Sequence, residues 1–140
     1  MKKNIRLLLV DDDSEDRVLF IDAVNEVDNT IECVELTNGE EALEYLMNLS
    51  TVLPDCIFLD LRMPKISGKK CLIEIKNNDR LKDIPVYIYT TSRDVEESRE
   101  LKQIGAFHFI SKPNNADEIY YLLAFAMEEH DRLANMRENY

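Results

Sequence analysis

The stretch "PDCIFLDLRMP", from Pro54 to Pro64, decides the fold prediction. Its apolar run Cys56–Leu59 is short and continuous, and turn residues bound it, which is typical of a strand that helices cover on both faces. The run ends abruptly at one carboxylate, Asp60, and Met63-Pro64 soon afterwards disfavours an ordinary helix start. We therefore expect a buried strand with an acid at its open, carboxyl end.

Strand-like runs alternate with helix-like segments along the chain. Short apolar runs predict strands at Ile5–Val10, Cys56–Leu59, Val86–Tyr89 and Phe107–Ile110, and alternating apolar and acidic residues predict one at Ile31–Leu36. Helical spacing and capping residues predict helices at Ser14–Val27, after the Asn38-Gly39 turn, at Ser67–Asn77, at Arg93–Ile104 before Gly105, and at Ala116–Met127. Such alternation implies right-handed βαβ units. The predicted fold class is α/β, a doubly wound five-stranded parallel sheet of flavodoxin-like order 2-1-3-4-5 with helices on both faces.

Length and composition limit the domain organisation and the class of protein. The 140 residues suit one domain, which we expect over residues 1–127, with 128–140 as a polar C-terminal extension of the last helix or a tail. The net charge of -11 argues against nucleic acid as a partner. No segment has the length of a membrane span. The odd, scattered cysteines Cys33, Cys56 and Cys71 lie in apolar segments, which predicts core packing in a reducing cytoplasm.

Polar residues follow several predicted strands where each strand ends. In an open α/β sheet, ligands bind beyond the carboxyl ends of the strands, near the switch in strand order. The first and third strands are neighbours in the predicted order, so the carboxylates that follow them should converge. The residues that follow the strands are Asp11, Asp12 and Asp13 after the first, Asp60 after the third, Thr90 after the fourth and Lys112 after the fifth.

This set of side chains indicates phosphoryl transfer. Carboxylates at Asp11, Asp12 and Asp60 would repel one another, and a divalent cation with oxygen ligands offsets such repulsion. Mg²⁺ suits a partly open all-oxygen site, and Mn²⁺ can take its place. Lys112 adds a compact positive charge and Thr90 a hydroxyl, each able to bind a phosphoryl oxygen. We therefore predict that Asp60 accepts a phosphoryl group as an acyl phosphate.

Four motifs, each after the expected strand, carry a resemblance to a known family. They are "LLLVDDD", "FLDLRMPKISG", "IPVYIYTTS" and "GAFHFISKP". Together they closely resemble the receiver domain of two-component response regulators, from about Asn4 to Met127. The "TTS" motif and the polar C-terminal extension are similar to those of small phytochrome-associated regulators.

The resemblance implies a role for each acid in the predicted pocket. Asp60 would be the phosphoacceptor. Asp12 and Asp60 would hold Mg²⁺ together with the backbone carbonyl of Arg62, and Asp11 would act largely through water. The Arg62 side chain is long and charged, so it could shield or contact the phosphoryl group.

The resemblance also implies a conformational switch. Phosphorylation would draw in the Thr90 hydroxyl, and Phe109 would turn inward behind it. The surface formed by helix four, strand five and helix five would then change. The Lys112-Pro113 peptide bond would be cis, which an X-Pro bond can adopt at modest cost.

The function that follows is that of a stand-alone, phosphorylatable signalling switch. It would receive the phosphoryl group from a sensor histidine kinase or a phosphotransfer protein and contact a downstream protein target, with a homodimer as a further possibility. It would not be an enzyme in the usual sense, because it takes part only in its own phosphorylation and autodephosphorylation.

Three alternatives use related residues. A haloacid-dehalogenase-like phosphatase also has an Asp nucleophile, but it needs a second acid where this chain has Arg62. A flavin-binding module would need a phosphate-cradling loop after the first strand, where Asp11 to Asp13 would repel phosphate. A receiver that binds partners without phosphorylation is the third alternative.

Overall fold

Five parallel strands form the central sheet of the computed structural model, which describes residues 4–138. Their order is β2-β1-β3-β4-β5. The strands are β1 (Arg6–Val10), β2 (Glu32–Leu36), β3 (Cys56–Leu59), β4 (Val86–Thr90) and β5 (His108–Ser111). The helices are α1 (Ser14–Val27), α2 (Gly39–Met47), α3 (Gly68–Lys76), α4 (Val95–Ile104) and α5 (Ala116–Glu138). This architecture confirms the predicted fold class.

Side chains at the helix starts explain why four helices begin where they do. Each N-cap side chain accepts a hydrogen bond from backbone N–H groups of the first turn, which would otherwise lack partners. These caps are Asp13, Asn38, Ser67 and Asp94. Helix α4 ends at Gly105, whose φ of 134° lies in a region that side-chain-bearing residues rarely adopt. Local sequence therefore specifies where these four helices begin and where α4 ends.

Two apolar layers cover the sheet, one on each face. Alternate residues of a strand point to opposite faces, so Ile57 and Leu59 join the layer under α2, α3 and α4. Phe58 joins the opposite layer, which α1 and α5 cover. All four residues of β3 are fully buried. The continuous apolar run that predicted this strand thus follows from the coverage of both faces.

The last helix is longer than the predicted Ala116–Met127 segment. Helix α5 continues to Glu138, so residues 128–138 extend it, and residues 139 and 140 lie outside the described part of the chain. The division into a domain over 1–127 and an extension over 128–140 stays a prediction. Within residues 4–138, no helix combines the length and apolar character needed to cross a membrane.

The three cysteines are free thiols, with Cys33 in β2, Cys56 in β3 and Cys71 in α3. Cys56 and Cys71 are fully buried, and Cys33 is half-buried. Burial raises the pKa of the Cys33 and Cys71 thiols to about 12, so both stay protonated at neutral pH. The apolar packing expected for these residues is what the structure shows.

Candidate functional site

Backbone pairing brings the acids of β1 and β3 to one edge of the sheet. Val10 and Leu59 are register partners at the ends of these strands, so Asp11 and Asp60 follow at the same level. The Asp60 N–H donates to the Val10 carbonyl at 3.0 Å. Asp11 and Asp60 are buried, and Asp12 is exposed. Carboxylate oxygens of Asp11, Asp12 and Asp60 all lie within 4.8 Å of one another, as the strand order predicts.

The Lys112 side chain lies in the same pocket, and its ammonium group contacts three carboxylates. Its Nζ is 2.8 Å from Oδ2 of Asp11, 2.8 Å from Oδ2 of Asp16 and 3.4 Å from Oδ2 of Asp60. The Asp11 contact is an ion pair that is not aligned for a hydrogen bond, whereas those to Asp16 and Asp60 are hydrogen bonds. Burial opposes the charge on Lys112, but the neighbouring carboxylates outweigh it and raise the lysine pKa.

The end of β5 fixes where Lys112 enters the pocket. The backbone N–H of Lys112 donates to the carbonyl of Thr90 at 2.6 Å, which extends the pairing of β4 and β5 by one step beyond Ser111. The Tyr89 ring centroid lies 5.6 Å from Nζ, so an aromatic face borders the ammonium group. The lysine is therefore held by the sheet edge and by its charged partners together.

Burial is the largest influence on the pKa of the Asp60 carboxyl group. It raises the pKa, the Lys112 ammonium lowers it, and the Asp11 carboxylate raises it again, which leaves a pKa of about 6 against an ordinary 3.8. Backbone N–H groups of Leu61 and Arg62 favour the ionised form. The Leu61 N–H donates to Oδ1 of Asp60 at 2.8 Å. Asp60 is thus predominantly a carboxylate at neutral pH, as a nucleophile must be.

The loop after β3 passes so close to Asp60 that it requires glycine. A Cβ atom at Gly68 would overlap the backbone carbonyl oxygen of Asp60 and lie 2.7 Å from the Leu61 Cα. The Gly68 N–H donates to the Leu61 carbonyl at 3.0 Å, which closes the loop. Gly68 in the "FLDLRMPKISG" motif therefore has a packing reason at the site.

The two predicted switch residues, Thr90 and Phe109, lie in the neighbouring strands β4 and β5. Thr90 ends β4 and is fully buried, and its hydroxyl oxygen accepts a hydrogen bond from the Ser92 N–H at 3.3 Å. Phe109 is half-buried against the layer under α4 and lines a surface cavity of about 250 Å³. Among the described residues, no hydrogen bond joins Thr90 to the acids.

Two expectations near the pocket need correction. The Lys112-Pro113 peptide is trans, not cis, because the described chain has no cis peptide bond, and trans is the ordinary preference of X-Pro bonds. The Arg62 side chain is largely exposed and pairs with Glu97 of α4, with Nη2 and Oε2 3.5 Å apart. It therefore extends toward α4 in this structure and does not cover Asp60.

Asp16 is the site residue that the sequence did not indicate. It lies in the first turn of α1, and its side chain binds Lys112, which directly follows β5 and is 96 residues away in the chain. An acid in the first turn of a helix is common, because the helix dipole favours it there. Only the position of α1 relative to the end of β5 shows that this acid belongs to the pocket.

Comparison with known proteins identifies the family of this chain. The family model described as "Response regulator receiver domain" matches residues 7–124. The chain belongs to the response regulator receiver domain family. Members of this family are signalling switches of two-component systems and not classical enzymes. The resemblance drawn from the four motifs is therefore confirmed.

The relatives of this chain include a protein of similar length and a much longer one. The probable methanogenesis regulatory protein FilR2 of Methanothrix harundinacea is 31% identical over 81% of this chain and 75% of that protein. The DNA-binding transcriptional regulator NtrC of Escherichia coli is 33% identical over 87% of this chain, but the chain spans only 24% of its length.

Solved structures show the same receiver fold. The phosphorylated cyanobacterial phytochrome response regulator RcpA has a TM-score of 0.83 and 28% identity, covering 90% of this chain and 93% of that one. The Mn²⁺-bound form of response regulator Rcp1 has a TM-score of 0.74 and 29% identity, covering 86% of this receiver and 89% of that chain.

Proposed function

We propose that this receiver domain is a phosphorylation-dependent switch in which Asp60 accepts a phosphoryl group. The observation that carries the proposal is the geometry of the pocket: three carboxylates within 4.8 Å of one another, with the Lys112 ammonium against two of them. An oxygen of Asp60 bonds to phosphorus as the bond to the donor breaks. When the donor is a phosphohistidine, its imidazole nitrogen leaves and takes up a proton. The product is an acyl phosphate.

The donor set fits a hard divalent cation. Asp11 and Asp60 are buried while Asp12 is exposed, so the oxygen ligands form a partly open site that leaves room for water. We assign Mg²⁺, or Mn²⁺, to Asp11, Asp12 and Asp60 with the backbone carbonyl of Arg62. A bound ion would neutralise carboxylate and phosphoryl charge. The Mn²⁺-bound form of the related Rcp1 supports this assignment.

Three side chains of the receiver take part in the response. Asp60 is ionised at neutral pH and supplies the nucleophile. Lys112 is positioned to bind a phosphoryl oxygen, because its ammonium already lies 3.4 Å from Oδ2 of Asp60. The buried hydroxyl of Thr90 moves toward the phosphoryl group, and Phe109 turns inward behind it. In the structure, the Thr90 hydroxyl oxygen accepts a hydrogen bond from the Ser92 N–H.

The face formed by α4, β5 and α5 is the proposed output surface. On α5, the aromatic residues Tyr121 and Phe125 are 70% and 65% exposed, which is unusual for such large apolar groups. They border a groove of about 400 Å³ between β5 and α5 that includes Phe109. A change at Phe109 would therefore reach this groove. We assign it to contact with a downstream protein, or with a second copy of the chain.

The proposed class of phosphoryl donor follows from the chemistry of the site. A sensor histidine kinase or phosphotransfer protein supplies the phosphoryl group, and the protein works in the cytoplasm, without nucleic acid or membrane as a direct partner. The phosphatase alternative needs an acid at position 62, where Arg62 is a cation paired with Glu97. The receiver domain would be residues 1–127, with 128–140 as its extension.

The direct test is incubation with Mg²⁺ and acetyl phosphate, followed by intact-mass measurement. The wild-type protein should gain the mass of one phosphoryl group, in a form stable in acid and labile in base. Asp60→Asn, or addition of EDTA, should abolish the gain. The same gain in Asp60→Asn would refute Asp60 as the acceptor, and no gain in the wild type would favour a receiver that binds partners without phosphorylation.

A further inference from the structure

Lys112 contacts one carboxylate more than the proposed reaction uses. Its ammonium group has three N–H donors, and Asp11, Asp16 and Asp60 all lie within 3.4 Å of Nζ. Asp11 and Asp60 belong to the carboxylate group that could hold a metal ion, whereas Asp16 does not. The Asp16 carboxylate is thus the partner of Lys112 that has no other assigned task.

The fold holds Asp16 firmly in this place. Its backbone N–H donates to Oδ1 of Asp13, the N-cap of α1, at 3.2 Å. The N-terminal end of the helix also favours a negative side chain. The side chain of Asp16 is 31% exposed and that of Lys112 only 8%, so Asp16 contacts the ammonium from the side nearer to solvent.

We propose that Asp16 is a positioning residue that competes with the phosphoryl group for the Lys112 ammonium and so slows phosphorylation of Asp60. The inference rests on the proposed function. A phosphoryl group brings three strong acceptor oxygens into the pocket, and these oxygens compete with the existing carboxylate partners for the Lys112 ammonium. Asp16 is the partner that is released, because Asp11 and Asp60 stay engaged in the reaction. The Asp16 contact, at 2.8 Å against 3.4 Å for Asp60, is the shorter one that must break.

The phosphoryl-transfer step that Asp16 slows does not use Asp16 as a reactant. With acetyl phosphate as donor, one oxygen of Asp60 forms a bond to phosphorus. The bond from phosphorus to the acetate oxygen breaks, and acetate leaves with the electron pair. The total charge is unchanged and no proton moves, so Asp16 acts only by occupying Lys112.

The test compares Asp16→Asn with Glu15→Gln. Glu15 lies in the same first turn, its side chain is exposed, and it has the same charge, but it makes no contact with Lys112. Phosphorylation by acetyl phosphate in saturating Mg²⁺ is followed by intact mass, and thermal unfolding checks that each variant folds. Asp16→Asn should be phosphorylated about fivefold faster than the wild type, the scale of one partly exposed charged contact. Glu15→Gln should match the wild type.

A second background shows whether Asp16 acts through Lys112. In Lys112→Ala, adding Asp16→Asn should change nothing, so both proteins should react equally slowly or not at all. Persistence of the acceleration without Lys112 would overturn the inference, as would equal rates for Asp16→Asn, Glu15→Gln and the wild type. A wild type that is never phosphorylated would instead refute the proposed function itself, so the two failures are distinguishable.

Discussion

Replacing Asp60 by asparagine should stabilise the fold at alkaline pH. Burial, only partly offset by Lys112, raises the Asp60 pKa from 3.8 to about 6. A raised native pKa means that this carboxyl group favours folding below its unfolded pKa and loses that contribution as pH rises through about 6. A shift of two units corresponds to about 3 kcal/mol. The neutral amide of Asn avoids this cost, from which the attraction of Lys112 is already subtracted.

The assay is urea unfolding in EDTA across a range of pH. We expect the unfolding free energy of Asp60→Asn to exceed that of the wild type by about 2–3 kcal/mol at about pH 8, and the difference to vanish near pH 4. Asp79→Asn is the matched control, because its carboxylate is fully exposed and should change stability by less than about 0.5 kcal/mol at any pH. An Asp60→Asn protein that is less stable than the wild type at alkaline pH would refute the reasoning.

Three further changes test separate parts of the site. Gly68→Ala should destabilise the fold in urea unfolding by at least about 2 kcal/mol, because its Cβ would overlap the Asp60 carbonyl, and unchanged stability would contradict that close approach. Arg62→Ala should keep Mg²⁺ affinity, measured by calorimetry, within about twofold, because the proposed ligand is a backbone carbonyl; a tenfold loss would implicate the side chain. Mg²⁺ at about one hundred times the wild-type Kd should stabilise the wild-type protein by nearly 3 kcal/mol in thermal unfolding. At the same Mg²⁺ concentration, the gain should shrink in Asp12→Asn but persist in Asp13→Asn, because asparagine can still cap α1.

The sequence predicts the centre of the sheet well because β1, β3 and β4 are buried on both faces. Such strands form continuous apolar runs, as in Cys56–Leu59, and the alternation of these runs with helices leaves few possible topologies. Strand order then brings Asp11 and Asp60 together without any knowledge of side chains. The site could be inferred to that extent because it lies where parallel strands end.

Other features depend on tertiary packing that no local pattern records. Asp16 reaches Lys112 only because α1 starts beside the end of β5. The Arg62 side chain pairs with Glu97 of α4, a helix far from Arg62 in the sequence. The residues around Asp60 in the sequence therefore do not reveal where this side chain points. The polar extension after Met127 is helical to Glu138, although its composition suits a tail equally well. Strand β4 extends to Thr90, one residue further than predicted, because pairing with Ser111 continues there.

Chemical mapping of the acceptor tests the central claim most directly. An aspartyl phosphate is reduced by borohydride to homoserine, which marks its position permanently. After treatment with Mg²⁺, acetyl phosphate and borohydride, peptide sequencing by mass spectrometry should find homoserine at position 60 and aspartate at positions 11, 12 and 16. Homoserine at one of those other positions, with Asp60 unchanged, would contradict the assignment of the phosphoacceptor.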